Sequence, residues 1–361
     1  MEHREKRTLI LRINSEKPEI EKIRIAAEVI RKGGLVAFPT ETVYGLGADA
    51  LNELAVKKIY LAKNRPFDNP TIVHVAERSE VYKLAKKVPE IAEELMNYFW
   101  PGPLTLVLEA SEIVPRVTRG GLETVAIRMP RHKVALELIK QSRTPIAAPS
   151  ANLAGRPSPT SAEHVIRDLH GKIDVILDAG STVLGLESTV LDLTSEIPQI
   201  LRPGSVSYED LKRVIGKVEV HPAVLAKREL EFKARSPGMK HRHYAPNAEM
   251  VVVEGETEAM VEKVKEIAMN FSEQGKKVGI LATDETLDRY PKKWVVKSLG
   301  TREDLGSVAK NLFKLLRELE NEVDVIIAEG FPEKGVGLAI MNRLRKASNY
   351  NVVVAEKSVK N

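Results

Sequence analysis

Apolar side chains recur at two spacings along the chain, and the spacing changes from one stretch to the next. From Ile20 to Arg31 they repeat every three or four positions, as on one face of a helix, and Gly33 and Gly34 follow as a stop. The stretch LVAFPT after them is a short continuous apolar run, typical of a buried strand. The helical spacing predicts further helices at 54–63, 89–99, 134–141 and 162–169.

Short apolar runs between these helices predict more strands than a strict alternation of strand and helix would give. The runs are TIVHVA, LTLVLEA, TVAIRMP, PIAAPSA, DVILDAG, STVLDLT and QILRPG. An excess of short strands over helices indicates a sheet that is partly antiparallel. We therefore expect an α/β domain with a mixed sheet over residues 1–220.

A different pattern begins after residue 246. The strands EMVVVEG, KKVGILATDE, WVVKSLG, VDVIIAEGFP and YNVVVAE alternate with helical patterns at 261–274, 305–320 and 338–347. Such alternation is typical of a parallel, doubly wound sheet, so we expect a smaller Rossmann-like α/β domain over residues 247–361. The intervening residues 221–246 have no sustained period and many cations, which predicts a linker.

Composition narrows the chemistry that the chain can perform. The 361 residues include no cysteine, which excludes disulfides, thiolate nucleophiles and zinc held by cysteine. No apolar run approaches the roughly 20 residues that span a bilayer, and the charged start of the chain lacks the apolar core of a signal peptide, so we expect a cytoplasmic protein. The formal net charge of +5 favours anionic partners such as nucleotide phosphates or RNA.

Familiar nucleotide and hydrolase signatures are missing from the sequence. It contains no G-x-x-x-x-G-K-[ST], no H-E-x-x-H and no G-x-S-x-G. GLGADA does match G-x-G-x-x-A, but TETVY separates it from the preceding strand, whereas a dinucleotide fingerprint turns at once. A dinucleotide site is therefore a minor alternative.

Polar side chains follow several predicted strands, at positions where α/β sheets carry their sites. Lys63 and Arg65 lie in the loop KNRPFDNP, whose prolines reduce the entropy lost when cations are held against phosphates. Arg128 ends an apolar strand, where a buried guanidinium needs an anion or a carboxylate. Further candidate groups are Thr40, Glu41, Thr42, Ser150, Asn152, Ser188, Thr189 and Arg202. Singly each could be turn or capping chemistry, but together they predict a pocket for a nucleotide or another polyanionic metabolite.

Seven motifs in this order resemble the YrdC-like family of L-threonylcarbamoyladenylate synthases. They are FPTETVYGLG, KNRPFDNPTIVH, WPGPLT, TVAIRMP, PIAAPSANLAGRPSPT, GLESTVLDL and ILRPG. The half that follows SPGMKHRHYAP looks like the longer, two-domain form of that enzyme. The resemblance implies a YrdC-like twisted mixed sheet, a linker folding over the active site, and a reaction that joins L-threonine, bicarbonate or CO2, and ATP into threonylcarbamoyl-AMP and pyrophosphate. It also implies that the product passes to the machinery that makes N6-threonylcarbamoyladenosine in tRNA.

The resemblance implies roles for individual residues as well. Those implied to hold threonine are Thr42, His74, Arg128, Ala148 and Ser188. Those implied to hold ATP are Arg65, Asn69, Thr124, Ser150, Asn152, Ser158, Arg202 and Tyr244. Lys63 and Arg65 are implied to be catalytic at the phosphates, with Mg2+ sharing the charge of the pyrophosphate. From its strand pattern alone His74 would be a core histidine, and where His241 stands the family pattern implies an aromatic residue.

Two other functions fit parts of the sequence. A basic pocket could belong to an RNA-binding module, and the net charge could give the chain weak affinity for RNA, but aromatic residues make up only 5% of it and no RNA motif is recognisable. A YrdC-like domain can also serve carbamoyl transfer in a larger maturation factor, whose cysteine pairs and acylphosphatase segment are missing here. No catalytic residue is assigned to the second domain.

Overall fold

The computed structural model of the chain describes residues 7–226, 228 and 243–356. These fall into two compact units. The first includes the described residues of Met1–Ala154 and Ser158–Val224, and the second includes Gly155–Pro157 and the described residues of Arg242–Asn361. Most of the predicted linker lies outside the described residues, as does His241.

An eleven-stranded sheet forms the centre of the first unit. Its strands are β1 (Leu9–Arg12), β2 (Val36–Pro39), β3 (Tyr44–Asp49), β4 (Ile72–His74), β5 (Leu104–Glu109), β6 (Thr124–Arg128), β7 (Ile146–Ala147), β8 (Val175–Asp178), β9 (Thr189–Asp192), β10 (Gln199–Arg202) and β11 (Glu219–Val220). They lie in the order β1-β8-β2-β3-β7-β4-β6-β5-β9-β10-β11. Parallel and antiparallel neighbours are mixed, since β6 pairs with β4 in parallel and with β5 antiparallel, and the predicted mixed sheet is confirmed.

Helices cover this sheet and contribute to its core. They are α1 (Ile20–Arg31), α2 (Glu53–Lys63), α3 (Val81–Leu84), α4 (Glu90–Phe99), α5 (Lys133–Ser142), α6 (Ala162–Leu169), α7 (Tyr208–Ile215) and α8 (Pro222–Leu225). Helices α1 and α5 share one apolar cluster with β2 and β8, and α2, α4 and α6 contribute to a second, larger one. These two clusters fix the sheet whose polar strand ends carry the candidate site.

Strand β3, the stretch YGLGAD, was not among the strands that the sequence pattern predicted. It is a buried strand that pairs with β2 and β7. A methyl group added at Gly47 would lie 2.8 Å from both Ile146 Cγ2 and Phe38 Cε1, so close packing requires glycine there. The glycines thus serve packing within the sheet.

A five-stranded, wholly parallel sheet forms the second unit. Its elements are β12 (Glu249–Glu254), α9 (Thr257–Glu273), β13 (Val278–Ala282), β14 (Val295–Ser298), α10 (Leu305–Leu319), β15 (Val325–Glu329), α11 (Gly337–Ala347) and β16 (Val352–Val354). The order β14-β13-β15-β12-β16 confirms a parallel α/β domain. Because β12 lies between β15 and β16, the order differs from that of a dinucleotide-binding Rossmann fold. Among the described helices of either unit, none has the length and apolar character required to cross a bilayer.

Candidate active site

One face of the first unit's sheet carries polar side chains beside a small apolar cluster. Side chains two apart on a strand share a face, so Thr124 and Arg128 lie on the same face of β6, about 13 Å apart along the strand. On the neighbouring β4, His74 is in register with Arg128. Between these polar positions lies a separate apolar cluster of Ile72, Val107, Ala126, Val190 and Leu201. One face of the sheet therefore carries this apolar cluster, and predicted site residues lie beside it on the same face.

Arg128 is held at the end of β6 by three groups. It is only 3% exposed. Its Nη1 donates to Thr42 Oγ1 at 3.0 Å, and its Nε donates to the carbonyl of Gly102 at 3.1 Å. Its Nη2 forms an ion pair with Glu41 Oε1 at 2.5 Å. The carboxylate partner that a buried guanidinium needs is therefore supplied by the loop after β2.

A tight turn presents Glu41 and Thr42 to Arg128. Thr40 Oγ1 donates to the carbonyl of Val43 at 2.7 Å and lies 2.8 Å from Thr42 Oγ1. The backbone carbonyl of Glu41 accepts a bond from the amide of Leu184 at 2.9 Å. Hydroxyl groups close this turn locally, which is why threonine flanks the carboxylate.

His74 is a buried, neutral imidazole beside this guanidinium. Burial and the positive charge of Arg128 lower the pKa of His74 to about 3. Its Nδ1 lies 3.2 Å from the carbonyl of Ile72, and because a carbonyl only accepts, Nδ1 carries the proton in this contact. The ring also has a hydrogen-bond contact with the backbone carbonyl of Ile146.

Ser188 lies between two polar groups at the start of β9. Its Oγ lies 2.8 Å from Thr105 Oγ1, and both residues are fully buried. Arg202 Nη2 donates to the same Oγ at 3.1 Å, while Arg202 Nε donates to the backbone carbonyl of Ser188 at 3.0 Å. Parallel pairing of β5 with β9 brings these positions together.

The loop KNRPFDNP begins where α2 ends. Asn64 adopts a left-handed conformation with φ 52°, which terminates the helix after Lys63. Lys63 is 1% exposed, and its Nζ donates to the carbonyls of Ser150 and Asn152. The lysine therefore joins the end of α2 to the turn that contains two of the predicted ATP residues.

Arg65 is held within the loop itself. Its Nη2 donates to the carbonyl of Pro70 at 2.8 Å and its Nε to the carbonyl of Asn69 at 3.3 Å. Tyr60 of α2 donates from its hydroxyl to the carbonyl of Asn69 at 3.1 Å. Backbone carbonyls thus fix the direction of a guanidinium that keeps its full charge.

The remaining predicted residues are placed as follows. Ala148 is buried, and its amide donates to the carbonyl of Ile72 at 2.9 Å. Ser158 is 1% exposed and donates from its hydroxyl to Glu187 Oε1. Tyr244 belongs to the second unit, where its ring stacks on Phe313 with centroids 5.2 Å apart.

The contacts group the predicted residues into four sets. Arg128 contacts Thr42 and is in register with His74, and Arg202 contacts Ser188. Lys63 contacts Ser150 and Asn152, and Arg65 contacts Asn69. Sequence reasoning missed Thr105 and Glu187, whereas Glu41 was among its candidate groups without a specific role. The signal for the two missed residues was a polar side chain at or directly beside the start of a predicted strand. Within the described part of the chain no three His, Asp or Glu side chains are close enough to hold a metal.

Comparison with known proteins gives a consistent result for both units. The family model for Sua5, YciO and YrdC proteins, described as "Telomere recombination", matches residues 28–204, and the model described as "Threonylcarbamoyl-AMP synthase, C-terminal domain" matches residues 206–349. A threonylcarbamoyl-AMP synthase of Pyrococcus abyssi is 54% identical over 347 residues, which cover 96% of this chain and 99% of the relative. That of Bacillus subtilis is 51% identical, covering 91% of this chain and 93% of the relative.

A solved structure agrees with these relatives. The crystal structure of Pyrococcus abyssi Sua5 complexed with L-threonine superposes with a TM-score of 0.92 at 53% sequence identity. The match covers 97% of this chain and 100% of that one. Both the sequence and the backbone are thus similar to that protein over nearly their whole lengths.

Proposed function

The chain belongs to the Sua5/YrdC family of threonylcarbamoyl-AMP synthases, and we propose that the polar sheet face of its first unit is the site of the reaction. The reaction joins L-threonine, bicarbonate or CO2, and ATP into threonylcarbamoyl-AMP and pyrophosphate. The observation that carries the proposal is the register of His74 with Arg128 on neighbouring strands. It places a neutral imidazole beside a buried guanidinium, next to the apolar cluster on this sheet face.

Threonine would bind at the Arg128 end of this face. The guanidinium is suited to the substrate carboxylate, because a charge-assisted hydrogen bond in a buried site is stronger than one in water. The neutral ring of His74 would form a hydrogen bond with the substrate hydroxyl. Thr42, Ala148 and Ser188 would complete the enclosure, since each is at most 4% exposed.

ATP would bind with its phosphates near Lys63 and Arg65. The residues proposed to hold the nucleotide are Arg65, Asn69, Thr124, Ser150, Asn152, Ser158, Arg202 and Tyr244. Two cations fixed on backbone carbonyls are already oriented before the substrate arrives, which reduces the entropy lost on binding.

The proposed chemistry needs no enzyme nucleophile. The threonine ammonium loses one proton to give the amine, whose nitrogen forms a bond to the carbon of CO2. Loss of a second proton from that nitrogen gives the carbamate, and both protons pass to solvent. A carbamate oxygen then attacks the α-phosphorus of ATP, the bond from that phosphorus to the bridging oxygen breaks, and pyrophosphate leaves. Catalysis would consist of alignment and of electrostatic stabilisation by Lys63 and Arg65 of the charge that develops on the phosphates.

The residues of the site are compatible with a Mg2+ ion carried in with ATP. Such ions are held largely by substrate phosphates and water, with one or two protein carboxylates. Glu187 would be the carboxylate that holds it, because its Oε1 accepts a bond from Ser158, a proposed ATP residue. When bound, the ion would neutralise part of the charge on the pyrophosphate.

We place this reaction in the cytoplasm and its product upstream of tRNA modification. Threonylcarbamoyl-AMP would pass to the proteins that attach the threonylcarbamoyl group to adenosine in tRNA. The simplest test of the proposed function is release of pyrophosphate from ATP in the presence of bicarbonate and each amino acid in turn. Release with threonine supports it, and equal release without any amino acid would contradict it.

A further inference from the structure

Glu41 is a buried carboxylate with unused hydrogen-bonding capacity. It is 3% exposed, and its contact within the described residues is the ion pair of Oε1 with Arg128 Nη2. Neither of its oxygens accepts a geometrically sound hydrogen bond from a described residue. An ionised carboxylate has roughly four acceptor positions, and a buried one is normally bonded at more than one of them. An anion in this state is well placed to receive donors from a ligand.

The guanidinium of Arg128 shows the complementary feature. Nη2 faces Glu41 without a well-aligned hydrogen bond, although the side chain is only 4% exposed. Glu41 Oε1 and Arg128 Nη2 lie 2.5 Å apart and pair with each other, which leaves Glu41 Oε2 as a buried acceptor without a hydrogen-bond partner among the described residues. An α-amino acid carries an ammonium and a carboxylate close together. Its ammonium could pair with the anionic Glu41 and its carboxylate with the cationic Arg128.

We propose that Glu41 recognises the ammonium group of threonine while Arg128 recognises its carboxylate, so that the pair selects a zwitterion. This inference rests on the proposed function and assigns Glu41 as a specificity-determining residue. Glu41 also borders a cavity of about 330 Å³ together with His132 and Thr182, whose lining residues do not include Arg128. Thr182 Oγ1 and His132 Nδ1 are likewise buried without a hydrogen-bond partner among the described residues.

The proposal explains why a carboxylate is placed where a substrate carboxylate must bind. Without Glu41 the cationic site would attract any small carboxylate, because Arg128 alone cannot distinguish an amino acid from a hydroxy acid. With Glu41 present, a ligand that brings only a carboxylate leaves the buried anion unsatisfied and is repelled by it. A ligand that brings an ammonium as well pairs both charges.

The test compares threonine with 3-hydroxybutanoate, which is threonine without its ammonium group. Binding of each is measured by calorimetry for the wild type, Glu41→Gln and the exposed control Glu94→Gln. We expect Glu41→Gln to lower threonine affinity roughly tenfold or more while 3-hydroxybutanoate affinity stays the same or rises. The control should match the wild type.

Equal weakening of both ligands, or of neither, in Glu41→Gln overturns the inference and leaves the proposed function standing. A wild-type protein that binds no threonine overturns both. If Glu41→Gln fails to fold, Glu41→Asp decides, because it keeps the charge and withdraws it by one methylene. The aspartate variant should lower the ratio of threonine to 3-hydroxybutanoate affinity, and an unchanged ratio would overturn the inference.

Discussion

Arg202 binds Ser188 twice, through Nη2 to the hydroxyl at 3.1 Å and through Nε to the backbone carbonyl at 3.0 Å. One partner is a proposed ATP residue and the other a proposed threonine residue. The contact therefore joins the two proposed substrate sites within the first unit. A substitution at either residue should change the binding of both ATP and threonine.

We expect Arg202→Ala to raise the KM for ATP and the KM for threonine together, each roughly tenfold, since it removes charge-assisted hydrogen bonds, one of them to the Ser188 hydroxyl. Initial rates of pyrophosphate release, measured over both substrates, give the two constants. Arg202→Lys keeps the charge without the two-pronged geometry and should recover only part of the loss. A rise confined to ATP would show that Ser188 does not depend on Arg202.

Arg128→Leu should reduce threonine affinity roughly 10- to 100-fold and change ATP affinity little, because the lost partner is the amino-acid carboxylate. The same substitution leaves Glu41 buried without its ion pair, so the free energy of unfolding should fall by about 3–5 kcal/mol. Calorimetry with each substrate and denaturant unfolding measure the two effects. The exposed Arg24→Leu serves as the control, and equal loss of both substrates would refute the assignment of Arg128.

Arg65→Ala should slow turnover about a hundredfold or more with the fold intact, if its effect is comparable to loss of an oxyanion donor at about 3–4 kcal/mol. Turnover is measured as threonine-dependent pyrophosphate release at saturating substrates, and the fold by circular dichroism. Arg116→Ala removes an exposed arginine and should leave turnover unchanged. Undiminished turnover in Arg65→Ala would contradict the proposal that the loop KNRPFDNP stabilises charge on the ATP phosphates.

The depressed pKa of His74 predicts a pH dependence of stability with a defined sign. The unfolded imidazole binds a proton below its ordinary pKa of about 6.5, whereas the folded one, with a pKa of about 3, stays neutral. The unfolded state thus binds more protons between these values, and stability falls as the pH is lowered through this window. We expect the free energy of unfolding to decrease by about 2 kcal/mol more in the wild type than in His74→Gln between pH 7 and pH 5. Parallel pH profiles for the two proteins would show that folding does not lower the pKa of His74.

Much of the fold could be predicted from periodicity. The apolar spacing gave α1 at Ile20–Arg31 and α6 at Ala162–Leu169 with the bounds that the structure has. Strand β3 was missed because Gly45 and Gly47 lower strand propensity, and the close approach that requires glycine is visible only in three dimensions. Helix α7 was missed although its capping box of Ser207 and Asp210 was a usable signal.

The candidate site was less accessible to sequence reasoning than the fold. Arg128 could be singled out because a guanidinium at the end of an apolar strand needs an anion, but that the anion is Glu41, 87 positions earlier, follows from strand order. The register of β4 with β6, which places His74 beside Arg128, is likewise a property of the whole sheet. Polar groups at strand ends predict that a site exists, and only topology decides which of them meet.

The most direct test of the central claim is the fate of labelled bicarbonate. Purified protein is incubated with ATP, Mg2+, radiolabelled bicarbonate and each amino acid in turn, and the adenylate products are separated and counted. The account predicts that label enters an adenylate with threonine, and only weakly or not at all with the other amino acids. Label that enters no adenylate, or enters equally with every amino acid, would contradict it.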